Sequence, residues 1–161
     1  MKQKNLWLLV GAPGSGKSTW VKQQSGKYIS RDEIRFSMLK EGDHYFDHEK
    51  EVFAEFARRL KEALTEYNDV YADASHLAWG SRRKTLSAVL GANSNIAANA
   101  VVFKTSLPTC IERNSHRTGH ANVPDDIITN MYNSMTSPLT DNYNYSQIIE
   151  VNEDGTITHL V

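Results

Sequence analysis

Five apolar residues in a row, Leu6 to Val10, open the chain and stop at Gly11. A short uninterrupted run of that kind predicts a strand covered on both faces, as in a parallel sheet. A glycine-rich stretch follows, and about Lys17 to Gln24 predicts a helix. Lys27 to Ser30 predicts a second short strand, and Arg31 to Leu39 a helix with Ile34 and Met38 on one face, broken by Gly42 and Asp43. The strongest periodicity comes next. Val52, Phe53, Phe56, Leu60, Ala63, Leu64 and Tyr67 recur at spacings of three and four, the mark of an amphipathic helix, and Asn68 and Asp69 end it.

The alternation continues. Val70 to Ala74 predicts a third strand, and Trp79 to Leu90 a helix stopped by Gly91, with Arg82, Arg83 and Lys84 on a solvated face. Ile96 to Lys104 predicts a fourth strand. Ser106 can cap a helix that holds Pro108 in its first turn and reaches about Asn114. A polar, basic loop, Ser115 to Asn122, precedes a helix opened by Pro124, Asp125 and Asp126 and carrying Ile127, Ile128, Met131 and Met135. Pro138 to Ser146 predicts a surface connection, and Gln147 to Val151 with Thr156 to Val161 flank an Asp154-Gly155 turn as a terminal hairpin, about 147–161. Strands that alternate with helices imply an α/β fold: a three-layer sandwich with a mostly parallel five-stranded sheet and helices on both faces.

Composition narrows this picture without redirecting it. The 161 residues suit a single domain spanning 1–161, and 40% hydrophobic residues suffice for an ordinary core. A net charge of -1 argues against broad affinity for polyanions. The single Cys110 excludes an internal disulfide framework and a cysteine-based zinc site. No apolar run approaches membrane-spanning length, so the expectation is a cytoplasmic protein with no membrane partner.

The chemistry starts where the first strand stops. Gly11-Ala12-Pro13-Gly14-Ser15-Gly16-Lys17-Ser18 fits G-x-x-x-x-G-K-[ST] at every fixed position. Glycines let backbone N–H groups turn inward around a phosphate with no Cβ in the way. Lys17 would reach the β- and γ-phosphates, the Ser18 hydroxyl would ligate Mg²⁺, and Thr19 would lie nearer the α-phosphate. Asp-x-x-Gly and Asn-Lys-x-Asp are both absent from the sequence, so ATP rather than GTP is the expected nucleotide.

Three further segments carry charge to strand or helix ends. In Ser30-Arg31-Asp32-Glu33-Ile34-Arg35, Asp32 sits where a strand meets a helix, beside the phosphate loop in an open sheet. A carboxylate there can take the proton of an attacking hydroxyl, and Arg35 one turn on can hold a phosphate. The plainer alternative makes Asp32 a helix cap and Arg35 its ion-pair partner. Asp73 ends the third strand as a candidate Mg²⁺ carboxylate, together with Ser18. His76 reads equally as a pocket residue or an ordinary loop residue. Arg113 and Arg117 border the basic loop, a candidate lid at about 115–123. An arginine closing over ATP would neutralise charge during transfer, although Arg113 also suits a helix C-terminus for electrostatic reasons alone.

Taken together, the chain resembles the phage-type polynucleotide 5′-kinase family. The matching stretches are Gly-Ala-Pro-Gly-Ser-Gly-Lys-Ser-Thr-Trp, Ser-Arg-Asp-Glu-Ile-Arg, Asp73 after a strand, Arg113-Asn-Ser-His-Arg117, Val123-Pro124, and Met131-Tyr132-Asn133-Ser134-Met135. They run in the family's order across roughly residues 5 to 136. The resemblance implies an ATP- and Mg²⁺-dependent phosphotransferase acting on a nucleic acid 5′-hydroxyl. In it Asp32 is the general base, and Arg35 contacts the acceptor side and the transferring phosphate. Arg117 is the lid arginine on ATP with Arg113 close to the nucleotide, and Val123 lies beside the acceptor base. Where the family often has Thr and Asn after the strand-end Asp, this chain has Ala74 and Ser75. That departure supports a small-molecule acceptor (a sugar, an antibiotic or a nucleotide-sugar) as the alternative. A non-catalytic ATP-binding regulatory module is the third reading.

Overall fold

Central strands buried on both faces organise the molecule. In the computed structural model, which describes residues 2–92 and 95–161, the strands are β1 (Lys4–Val10), β2 (Lys27–Ser30), β3 (Asp69–Asp73), β4 (Ile96–Lys104), β5 (Gln147–Asn152) and β6 (Ile157–His159). They form one sheet in the order β2-β3-β1-β4-β5-β6. The first five run parallel, and β6 turns back antiparallel on β5. The parallel part thus has the five strands that the alternation of elements implies. The hairpin through Asp154-Gly155 adds the sixth.

The helices are α1 (Lys17–Val21), α2 (Arg31–Met38), α3 (Glu49–Glu66), α4 (Trp79–Val89), α5 (Leu107–Ser115) and α6 (Asp125–Asn133). On β1, Leu6 and Leu8 face one core with Val52, Phe56 and Leu60 of α3 and Leu86 of α4. Leu9 faces the other with Val21 of α1, Tyr71, Val101 and Phe103. The period of two splits a continuous apolar run between two helical layers. Ala72, Ala98 and Ala100 keep the first face shallow enough for α3 and α4 to close on it. Phe56 is fully buried, and truncating such a side chain costs roughly 3–5 kcal/mol. A smaller third cluster of Cys110, Val123 and Ile128, with Tyr45 and Tyr132 against it, draws α5 and α6 toward the sheet's carboxyl edge. No described helix is long and apolar enough to cross a membrane.

Three local expectations change. α1 stops at Val21 rather than Gln24, because Gly26 takes a left-handed φ of 104° packed on the Asp69 carbonyl and the chain must unwind to reach β2. Arg82 is not on a solvated face: it is 0% exposed and forms a bidentate pair with Asp141 at 2.7 and 2.8 Å. For the same reason the stretch from Pro138 to Ser146 is no simple surface connection. It carries Asp141 and Tyr145 inward, the Tyr145 hydroxyl donating to Asp141 Oδ2 at 2.7 Å.

Candidate functional site

The carboxyl ends of β1, β2 and β3 meet one cleft of about 540 Å³. Pro13, Gly14, Gly16, Lys17, Ser18 and Thr19 line it, together with Asp32, Arg35, Asp73, Val123 and Arg117. Gly11, Ala12 and Ser15 lie behind that lining, buried, and Arg113 does not reach it.

The loop's shape follows from its glycines and anchors. Gly14 and Gly16 adopt φ of 83° and 100°, a region other residues avoid. A Cβ at Gly14 would also collide with the Cys110 carbonyl oxygen. Gly11 N–H donates to Ser75 O at 3.0 Å, and Thr105 Oγ1 donates to Ser15 O at 2.8 Å. Arg113 Nη1 donates to Gly14 O at 3.3 Å, so this arginine braces the outside of the loop. Lys17 Nζ donates to the loop carbonyls of Gly11 and Ala12 at 2.8 and 3.0 Å. Burial lowers the pKa of its ammonium, while Asp73 and Asp32 oppose that shift and Arg117 adds to it.

Asp73, at the end of β3, accepts a hydrogen bond from Ser18 Oγ at 3.0 Å. Burial raises its pKa, and Lys17 and the Ser18 hydroxyl pull it back. A desolvated carboxylate beside a hydroxyl is a donor set whose desolvation a hard cation would relieve. The two side chains therefore fit Mg²⁺. No cluster of three or more His, Cys, Asp or Glu suited to a metal occurs among the described residues.

Asp32 belongs to α2, but it is not the cap. Ser30 Oγ accepts from the Glu33 N–H at 3.1 Å and takes that role. The Asp32 side chain is thereby released to the cleft, where it is 51% exposed. Arg35 is buried, and its donors are divided among neighbours. Nε and Nη2 reach Glu49 at 2.7 and 2.6 Å, and Nη1 reaches Asp32 and the Tyr45 hydroxyl. Burial would lower the Arg35 pKa, but Glu49, Tyr45 and Asp32 outweigh it and the net shift is upward. Burial likewise would raise Glu49, but Arg35 and Arg31 hold it below the ordinary carboxylate value.

Arg117 is carried by the segment after α5, which Asn114 staples. Asn114 Nδ2 donates to Val123 O at 2.6 Å, and Val123 N–H donates back to Oδ1 at 3.0 Å. His120 Nε2 donates to the Asp43 carbonyl at 3.1 Å, tying this segment to the connection between α2 and α3. Phe36, Tyr45, Phe46, Val123 and Met131 supply an apolar rim, and Phe46 is 56% exposed there.

Sequence reasoning does not find Tyr45, Glu49 or Asn114. The available signals were the adjacent aromatics Tyr45-Phe46 in a polar connection and the Asn inside the Arg113-to-Arg117 stretch. His76 is among the residues lining the cleft, and its ring is held in the core: buried, at φ 46°, with Nδ1–H donating to Leu9 O and Nε2 accepting from Thr85 Oγ1, both at 2.9 Å.

Parallel sheet order, glycine loop and strand-end carboxylate define the class: an α/β three-layer fold of the P-loop NTPase kind. Residues 6–139 match the AAA domain family, and the chain belongs to it. No curated protein matches the chain. Among solved structures, a chain of the Pnkp1/Rnl/Hen1 RNA repair complex superposes with a TM-score of 0.68 at 20% identity, covering 83% of this chain and 44% of that one. The present chain thus spans less than half of that relative's length. A gluconokinase from Sinorhizobium meliloti 1021 gives 0.58 at 20% identity, covering 94% and 85%. A deoxyadenosine kinase from M. mycoides gives 0.56 at 14%, covering 91% and 89%. Identities this low establish the shared fold.

Proposed function

We propose that the chain is an ATP-dependent phosphotransferase that moves the γ-phosphoryl group to a hydroxyl of a small molecule. One observation carries the reading: Lys17, Ser18, Asp73 and Asp32 line the same cleft, off the ends of three neighbouring strands. In this reading the loop N–H groups cradle the phosphates, and Lys17 leaves its carbonyl partners for the β- and γ-oxygens. Asp32 takes the acceptor's proton. The acceptor oxygen bonds to phosphorus as the bond to the bridging oxygen breaks, and ADP carries off that electron pair. Ser18 and Asp73 would hold Mg²⁺, which supplies charge neutralisation at the phosphate oxygens when bound. Arg117 approaches from the lid segment at 115–123 and adds to that neutralisation, while Arg35 and Arg113 act from behind by holding Asp32 and the loop. The whole chain, 1–161, serves as one unit in this scheme.

Two of the similar structures, matched over 85% and 89% of their own chains, are named a gluconokinase and a deoxyadenosine kinase, which supports a small-molecule acceptor. A second reading, a nucleic acid 5′-hydroxyl, is favoured by the apolar rim of Phe36, Phe46 and Val123, a surface suited to a base. Transfer from γ-labelled ATP to gluconate, deoxyadenosine and a 5′-hydroxyl oligonucleotide, run side by side, tests both. Label on a small molecule supports the first, and label on the oligonucleotide alone replaces it with the second. Asp32→Ala should lower kcat by about 10²- to 10⁴-fold and still bind ATP. Retention of full turnover by that variant would sink the phosphotransfer mechanism and leave a nucleotide-binding module.

A further inference from the structure

The mechanism above leaves one polar group at Asp32 without a task. Tyr45 comes from the connection between α2 and α3, and its hydroxyl donates to Asp32 Oδ1 at 2.8 Å. The same hydroxyl accepts from Arg35 Nη1 at 2.9 Å, and Arg35 Nη1 also pairs with Asp32 Oδ1. Among the described residues, the hydrogen bonds to this carboxylate all fall on Oδ1. Oδ2 accepts none of these, and Asp32 lines the cleft.

The tyrosine ring is itself held in place. The Arg35 guanidinium lies over it at 4.4 Å from the centroid. Phe46 and Phe36 meet it edge to face at 4.6 and 6.2 Å. Its remaining surface packs on the cluster of Cys110, Val123 and Ile128, which receives the end of the lid segment. Burial and the nearby Asp32 charge push the Tyr45 pKa up, so the hydroxyl keeps its proton and remains a donor.

We infer that Tyr45 is a positioning residue for the base: it fixes Oδ1 of Asp32 and so presents Oδ2 to the acceptor hydroxyl. This rests on the phosphotransfer reading. A half-exposed carboxylate on a short side chain has several rotamers open to it. Two donors on one oxygen, themselves locked by packing, leave one orientation. During transfer the acceptor proton moves to Oδ2, and the donors on Oδ1 stay where they are. The Tyr45 ring also joins the base to the cluster that anchors Val123, so the place of the lid segment and the aim of the carboxylate are set by one side chain.

The test is a double-mutant cycle on kcat, measured as ADP release and label transfer with water, gluconate, deoxyadenosine and a 5′-hydroxyl oligonucleotide as acceptors. Tyr45→Phe keeps the ring and loses only the hydroxyl. It should lower kcat by roughly 10- to 100-fold, the scale on which small misplacements act, with KM for ATP and Tm nearly unchanged. On an Asp32→Ala background the same change should have no further effect, because Tyr45 acts through that carboxylate. Wild-type kcat in Tyr45→Phe, or an equal loss on both backgrounds, overturns the inference and leaves the kinase reading standing. A lower kcat that tracks a fall in Tm and in ATP-induced stabilisation also overturns it, since the role would then be structural. A wild-type chain that forms no ADP with any acceptor overturns the phosphotransfer reading, and this inference with it.

Discussion

His76 holds an unfavourable backbone angle because its ring is satisfied on both nitrogens inside the core. Burial pushes its pKa down to about 4, with smaller contributions from Arg31, Arg82 and Lys17. A proton on Nε2 would face the Thr85 hydroxyl without water to solvate it. Since the unfolded chain binds that proton near pH 6.5, stability is fully present above 6.5 and is lost as pH falls toward 4. Between pH 7 and pH 4.5 the loss should be about 2 kcal/mol, read from urea titrations at the two pH values. In His76→Asn, which tolerates the positive φ, that part of the pH dependence should vanish. The sequence leaves His76 undecided between pocket and loop for a physical reason: its two partners, Leu9 and Thr85, lie 67 and 9 residues away, and only the folded sheet brings the first one near. That Lys17, Ser18 and Asp73 share one cleft was legible because a contiguous loop and a strand end place them. Tyr45 was not, because it sits in a segment with no periodicity to fix where it points.

At the scale of elements, the first turn of α4 is tied to a distant stretch of chain. Arg82 joins α4 to Asp141 and Thr136, and its Nη1 donates to the carbonyls of His76 and Leu77 at 2.9 and 3.0 Å. His76 and Leu77 both line the cleft. Replacing Arg82 by Met keeps most of the apolar stem and strands Asp141 in a buried site. Removing one partner of such a pair costs roughly 3–5 kcal/mol. Thermal melts of Arg82→Met should show a Tm lower by roughly 10 °C, and an unchanged Tm would contradict the clamp. Arg82 reads as a surface residue because it lies in a run of three basic side chains, and charge periodicity alone does not reveal which of them has a carboxylate waiting 59 residues on. The Ser106 side-chain cap of α5 and the Pro124 and acidic first turn that open α6 were legible because helix-start chemistry is local. The end of α1 was not, since the Gly26 turn is set by contact with Asp69 on another strand.

For the molecule as a whole, the parallel arrangement was readable from alternation alone, because consecutive strands that run the same way require a crossover. Strand order was not, since β3 inserts between β1 and β2 through contacts that sequence spacing does not encode. A nucleotide bound by the loop stabilises every element tied to it. At about 100 times Kd, ATP should add roughly 2.7 kcal/mol to the unfolding free energy, visible as a rise in Tm. Lys17→Ala should abolish most of that rise while the ligand-free Tm stays close to wild type. A wild-type Tm indifferent to ATP would remove nucleotide binding from the picture. The third apolar cluster has a chemical corollary. The chain's sole thiol is buried there, its sulfur on the Thr105 carbonyl and packed with Val123 and Ile128, so oxidants and alkylating reagents meet it only when that small core opens.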